Sequence, residues 1–206
     1  MTGVLLAEKG YTGTSMDDIA HAAGTKAGSL YYHFDSREQL AEEVLVSGIR
    51  AAMEHTTAAV EDLPIAATAR RRLETAITAH VEFILERSPA ALAGARAVGQ
   101  LPSALAAPVN ALFREYGTYL AGLFEAVVAE GAIDDTVDLS VARMLVVGAA
   151  NWTAEWFDSG GTSSPNEVGH LLCRLIFDGI GTGRRLPRRA PRGGKAFENG
   201  LRVGQP

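Results

Sequence analysis

Apolar residues recur three and four positions apart along most of this chain, and no stretch of useful length alternates, which predicts helices and no strands. After a short apolar start at Val4, Leu5 and Leu6, Ser15 stands before Met16-Asp-Asp-Ile, a capping residue followed by two acids suited to a helix N-terminus. Ile19, Ala20 and Ala23 make a slim stripe, and Gly24 supplies the residue that ends a helix in the left-handed conformation. Thr25 is the expected cap of a second helix from Lys26 to Phe34. At roughly 100° per residue, Ala27, Leu30, Tyr31 and Phe34 share a core side. Gly28, Ser29, Tyr32 and His33 fall on the opposite side, with Lys26 at its edge.

The later segments repeat the theme. Ser36 caps a long stripe through Leu40, Val44, Leu45, Ile49 and Met53 towards Val60, closed by Pro64. Helical period continues over 65–87, then Ser88-Pro89 opens an alanine-rich segment reaching Gln100, where Leu101-Pro102 breaks the chain. Pro108 is expected to open a helix that ends at Gly131. Asp138 caps a helix to Phe157, and Ser164-Pro165 starts a last one through Val168, Leu171, Leu172, Leu175, Ile176 and Ile180. The fold class is all-α, with about nine helices.

Two short helices joined by a glycine turn make a helix-turn-helix, and the small polar side near the start of its second helix is the end that enters a major groove. Ser29 can bond a base edge, and Gly28 admits close backbone approach. Tyr31, Tyr32 and His33 lie where such a helix leaves the groove and meets phosphate.

The stretch Lys9-Gly-Tyr-Thr-Gly-Thr-Ser-Met-Asp-Asp-Ile-Ala through Leu30-Tyr-Tyr-His-Phe-Asp-Ser-Arg-Glu-Gln-Leu40 resembles the N-terminal domain of TetR-family transcriptional repressors. The resemblance implies an all-helical homodimer that binds palindromic operator DNA and leaves it when a small molecule fills the C-terminal domain. Carried over by position, Thr14 and Ser15 would touch phosphate, and Lys26, Gly28 and Ser29 would face bases. Tyr31, Tyr32 and His33 would contact phosphate or base, and Arg37, where lysine is common, would clamp the backbone. Family members usually open with a longer helix than Met1 to Glu8 allows, and a helix this short is marginal unless packing holds it. That leaves a rival expectation, a dimeric small-molecule-binding protein with impaired DNA binding. Leu101-Pro102, the helix to Gly131 and the run from Asn151 to Pro165 together resemble a TetR subgroup associated with lipid and acyl-CoA metabolism, which implies a long apolar effector or a CoA thioester.

Composition refines this picture. The 206 residues are 47% hydrophobic, enough for a sizeable core. Net charge is −5, but seven Lys and Arg against one Glu lie beyond Gly181, so the preceding body carries 12 basic and 23 acidic residues. Attraction to phosphate must then come from a local patch. The single Cys173 excludes an internal disulfide and suits a reducing cytoplasm, and no run of apolar residues is long enough for a membrane span. No HExxH, P-loop, GxSxG elbow, CxxC pair or strand-borne GxGxxG is present, so no enzyme, cofactor or metal is expected.

The expected organisation is a DNA-binding domain over 1–50, a ligand-binding and dimerisation domain over 51–180, and a basic disordered tail over 181–206. The last two helices are too apolar for a monomer to cover, which predicts a two-fold bundle built from that pair in each subunit. Expected effector contacts are His80, Phe83, Arg96, Gln100, Tyr116, Tyr119 and Trp152. The aromatic ones have a plainer alternative in core packing, and His80 suits a hydrogen-bonded core histidine. Arg96 lies in an alanine- and glycine-rich helix, where its charge needs an acidic partner, water or an acidic ligand group.

Overall fold

The computed structural model describes residues 2–86, 93, 102–134 and 136–178. Within them the chain forms eight helices: α1 (Thr2–Lys9), α2 (Met16–Ala22), α3 (Ala27–His33), α4 (Arg37–Glu61), α5 (Ala69–Glu86), α6 (Ser103–Ala129), α7 (Leu139–Trp156) and α8 (Pro165–Phe177). There is no strand among the described residues. The alanine-rich helix expected before Gln100 and the basic tail lie outside them.

Local chemistry sets most boundaries. Ser15 and Asp18 form a reciprocal capping box at the start of α2. At its end, Gly24 takes φ +65°, the Gly24 amide donates to the His21 carbonyl at 3.1 Å, and the Thr25 amide donates to the Ala20 carbonyl at 2.9 Å. This is a Schellman closure, in which a glycine turns the chain without Cβ strain. Thr25 is therefore part of the turn and not the cap of α3. Lys26 holds that position and makes no side-chain capping bond. Ser36, Asp138 and Ser164 cap α4, α7 and α8 as expected, the last with Pro165 in the first turn.

Two starts differ from expectation. Residues 65–68 are not helical, and α5 begins at Ala69, where Thr68 Oγ1 accepts from the Arg71 amide and Glu130 accepts from the Ala69 amide at 2.8 Å. Pro108 does not open α6 but sits inside it. Its ring forfeits one intrahelical bond while its fixed φ suits the helix, and the next residue, Val109, is fully buried. The helix continues because burial outweighs one missing bond.

α4 is the spine. It runs unbroken through residue 50, the expected domain boundary, and contributes to several cores in turn. Near its start Leu40 and Val44 meet Met16 and Ile19 of α2, Leu30 of α3 and Phe34 just beyond it. One turn further, Ala41, Leu45 and Ile49 pack with Leu6 and Ala7 of α1 and with Val109 and Leu112 of α6. At its far end Val60 joins Ala76, Tyr116 and Leu120. A last cluster, Leu73, Ile77, Phe124, Val127, Val146 and Cys173, ties α5 to α6, α7 and α8. The short α1 is thus held by packing rather than by its own length.

α5 and α8 approach closely because Gly169 lies against Thr78. A Cβ built at Gly169 would stand 2.8 Å from the Thr78 Cα. Beside them Cys173 Sγ lies 3.9 Å from Thr78 Oγ1, and burial pushes its thiol pKa up to about 11, so this cysteine packs as an apolar residue.

Candidate nucleic-acid interface and effector region

The helix-turn-helix presents most of the expected face. Lys26, Gly28, Ser29, Tyr31, Tyr32 and His33 are all exposed, and nothing approaches the position a Gly28 Cβ would take. Leu30 and Phe34 turn inward onto Leu40 and Val44. Tyr31, expected on the core side, is 55% exposed. In a helix of seven residues Leu30 and Phe34 fill the contact with α4, and Tyr31 lies on the shoulder beside them. Tyr32 is 85% exposed and meets the His33 ring edge-on at 5.1 Å. Ser15 is exposed at the start of α2, where its amide and hydroxyl donate to Asp18 at 2.9 and 2.5 Å. Those bonds, with Lys9 at 3.3 Å, lower the Asp18 pKa to about 2.

One expected phosphate contact, Thr14, is placed otherwise, and Arg37 has partners within the domain. Thr14 is 1% exposed, and its hydroxyl faces the carbonyls of Gly10 at 2.8 Å and Leu5 at 3.3 Å. A side chain so enclosed offers nothing to a duplex. Arg37 is half-buried, with its guanidinium 4.4 Å from the centre of the Tyr11 ring and Nη1 donating to the Thr14 carbonyl at 3.1 Å. Its Nη2 lies 3.6 Å from Glu38, which also accepts a hydrogen bond from the Tyr11 hydroxyl.

In the helical body, the expected effector residues separate. His80 and Tyr116 come together in a buried polar chain that crosses four helices. The Tyr116 hydroxyl lies 2.9 Å from Thr56 Oγ1 and 3.0 Å from His80 Nδ1, and His80 Nε2 lies 3.1 Å from Asn151 Oδ1. Burial lowers the His80 pKa against the pull of Asn151, and raises that of Tyr116, so both are neutral at pH 7. Tyr119 stacks on Tyr116 at 6.4 Å, with its hydroxyl buried and without a well-formed hydrogen bond.

Phe83 is buried with Ala52 and faces the His55 ring at 5.1 Å. Trp152 does not line this region. It is 66% exposed on the outer side of α7, because Asn151 and not Trp152 carries the inward register. Arg96 and Gln100 lie outside the described residues. A surface cleft of about 570 Å³ between Leu85, Phe157 and Pro165 includes none of the expected effector residues.

Thr56 and Asn151 were not among the expected residues. Both were legible as lone polar residues on apolar helical stripes, Thr56 four positions after Ala52 and four before Val60, Asn151 after Val146-Val-Gly-Ala-Ala. A second apolar surface stands on α7 and α8: Val141, Met144, Leu145, Trp152 and Trp156, with Leu171 and Leu175, are all exposed.

Residues 4–44 match the model of bacterial regulatory proteins of the tetR family, and residues 66–180 match that of the tetracyclin repressor-like C-terminal domain. The chain belongs to the TetR family. It is a ligand-responsive, DNA-binding regulator of transcription. The transcriptional repressor KstR2 of Rhodococcus jostii is 26% identical over 182 residues, spanning 87% of each chain. Over 39 residues, 19% of this chain and 21% of the relative, identity reaches 54% with IcaR, a negative regulator of a biofilm operon in Staphylococcus aureus. The TetR regulator PfmR of Thermus thermophilus superposes with a TM-score of 0.75 at 25% identity, covering 88% of this chain and 97% of that one. AibR, solved with isovaleryl coenzyme A and operator DNA, has the same score at 24% identity, covering 85% and 94%. A TetR protein with a formed and packed α1 does not favour the rival expectation of impaired DNA binding. None of the described helices is long and apolar enough to cross a membrane.

Proposed function

We propose that this TetR protein is a cytoplasmic repressor that grips palindromic operator DNA as a homodimer and is released by an acyl-CoA or similar apolar acid. The carrying observation is the outer face of α3. Lys26, Gly28 and Ser29 stand at its base-facing end and Tyr31, Tyr32 and His33 at its phosphate-facing end, with Ser15 beside them on α2. Thr14 is not among them, since its side chain is enclosed inside the domain.

The dimer uses the exposed apolar stripe of α7 and α8. Positions 141, 145, 148, 152 and 156 lie three or four apart on one side of α7, an apolar patch of the kind that marks an interface. A two-fold axis there gives paired recognition helices, which must be spaced about one DNA turn, roughly 34 Å, apart. The effector class is supported by the likeness to the lipid-metabolism subgroup and to AibR, whose solved complex names an acyl-CoA and operator DNA together. The effector acts by binding better to a dimer whose recognition helices are out of register with the duplex. α4 conveys the change, since it carries both Leu40 beneath α3 and Thr56 in the polar chain.

The test begins with a duplex enriched by the wild-type protein from a random library. Tyr32→Ala/His33→Ala should bind it at least tenfold more weakly with unchanged thermal stability, since both side chains are exposed. Isovaleryl-CoA or a longer acyl-CoA should raise the melting temperature and release the duplex. Normal binding by the double variant would refute the assigned face, and an acyl-CoA series without effect on either measurement would refute the effector class.

A further inference from the structure

The joint at Thr14 ties the reading head to the rest of the molecule. Residue 14 is held from three sides: its hydroxyl by the Gly10 and Leu5 carbonyls, its amide by the Tyr11 carbonyl at 3.3 Å, and its own carbonyl by Arg37 at 3.1 Å. The next residue, Ser15, is the cap that fixes where α2 begins. α2 in turn packs against α3. The Thr14 joint is therefore a second tie between the α2–α3 pair and the spine, beside the apolar contacts of Leu40 and Val44.

Arg37 makes that connection at the first residue of α4. Its guanidinium does two things at once, stacking on the Tyr11 ring and donating to Thr14, and Tyr11 is itself anchored by its hydroxyl to Glu38 of α4. A planar, delocalised cation can stack and donate in this way, whereas an ammonium is a compact point charge. A phosphate contact has no such requirement, because lysine also meets it as a point charge.

We propose that Arg37 is a positioning residue for operator binding, acting through Tyr11 and the Thr14 carbonyl to hold the helix-turn-helix at its docking angle, and not a phosphate ligand. This rests on the operator-binding reading, and the test separates the two. The measurements are affinity for the enriched duplex across a salt series, and amide hydrogen exchange of residues 12–15 in the full-length protein without DNA.

Arg37→Ala and Arg37→Lys should each lose about tenfold in affinity with the salt slope unchanged. Exchange of the 12–15 amides should quicken in both. Tyr11→Leu should match them, and Tyr11→Leu/Arg37→Ala should be little worse than either alone, since both remove one joint. Tyr11→Phe, which keeps the ring under the guanidinium, should retain affinity within about threefold, a rescue that general destabilisation would not give. The proposal is overturned if Arg37→Lys restores affinity while Arg37→Ala lowers the slope by about 0.9 per subunit, the mark of a lost phosphate contact. Unchanged exchange in both Arg37 variants also overturns it. If the wild-type protein enriches no duplex, the operator reading falls and the exchange result still decides the joint.

Discussion

The buried imidazole of His80 makes stability depend on pH in a direction fixed by its surroundings. In the unfolded chain this histidine takes up a proton as pH falls through about 6.5. In the folded protein burial disfavours the imidazolium, so its pKa is lower and the ring stays neutral further into acid. Between the two values the unfolded state binds more protons, so stability rises with pH across that window. The contribution is complete above pH 6.5 and is lost as pH falls below it towards the folded value. For one proton the slope approaches about 1.4 kcal/mol per pH unit, enough to matter against a typical total of roughly 5–15 kcal/mol. The assay is urea unfolding at fixed protein concentration between pH 5 and 8, for wild type and His80→Gln, fixed because a dimer's stability depends on concentration. His80→Gln should be weaker at pH 8 by about 1–3 kcal/mol, since Tyr116 and Asn151 lose a buried partner. Its dependence below pH 6.5 should be shallower than that of wild type, by at most one proton. Parallel curves for the two proteins would refute the argument, because they would mean that the ring exchanges protons equally well folded and unfolded.

Glycine substitutions test the packing with opposite signs. Gly169→Ala places a methyl 2.8 Å from the Thr78 backbone and should cost about 1–3 kcal/mol in urea unfolding, whereas exposed Gly122→Ala meets nothing within 4 Å and should gain up to about 1 kcal/mol in helix propensity. Leu145→Glu/Trp152→Glu should convert the dimer to monomer in sedimentation velocity, and an unchanged sedimentation coefficient would place the interface elsewhere on the molecule.

Much of this molecule was written locally. Ser15 with Asp18, Gly24, Ser36, Asp138 and Ser164-Pro165 set helix ends through bonds spanning five residues or fewer, so the sequence alone located them. The helix-turn-helix and its outer face were legible for the same reason: a short helix has few positions, and the small, polar and aromatic ones sort by angle. Where local rules leave two options, the tertiary structure chose. Pro108 suits either a helix start or an early interior position, and burial of Val109 and Leu112 against α1 and α4 carried the helix through it.

Tyr31 could turn either way on a seven-residue helix until Leu30 and Phe34 occupied the contact. Trp152 had the apolar bulk expected of a pocket residue, yet the hydrogen bond from His80 to Asn151 fixed the register of α7 and sent Trp152 outward. Thr14 and Arg37 both carry chemistry that suits phosphate. Their partners, the Leu5 and Gly10 carbonyls, the Tyr11 ring and the Thr14 carbonyl itself, lie across a loop or on another helix. Sequence determined which groups can donate, accept or pack. Only the three-dimensional arrangement decided which of them found partners inside the protein and which stayed exposed on its surface, because those partners lie on other elements of the fold.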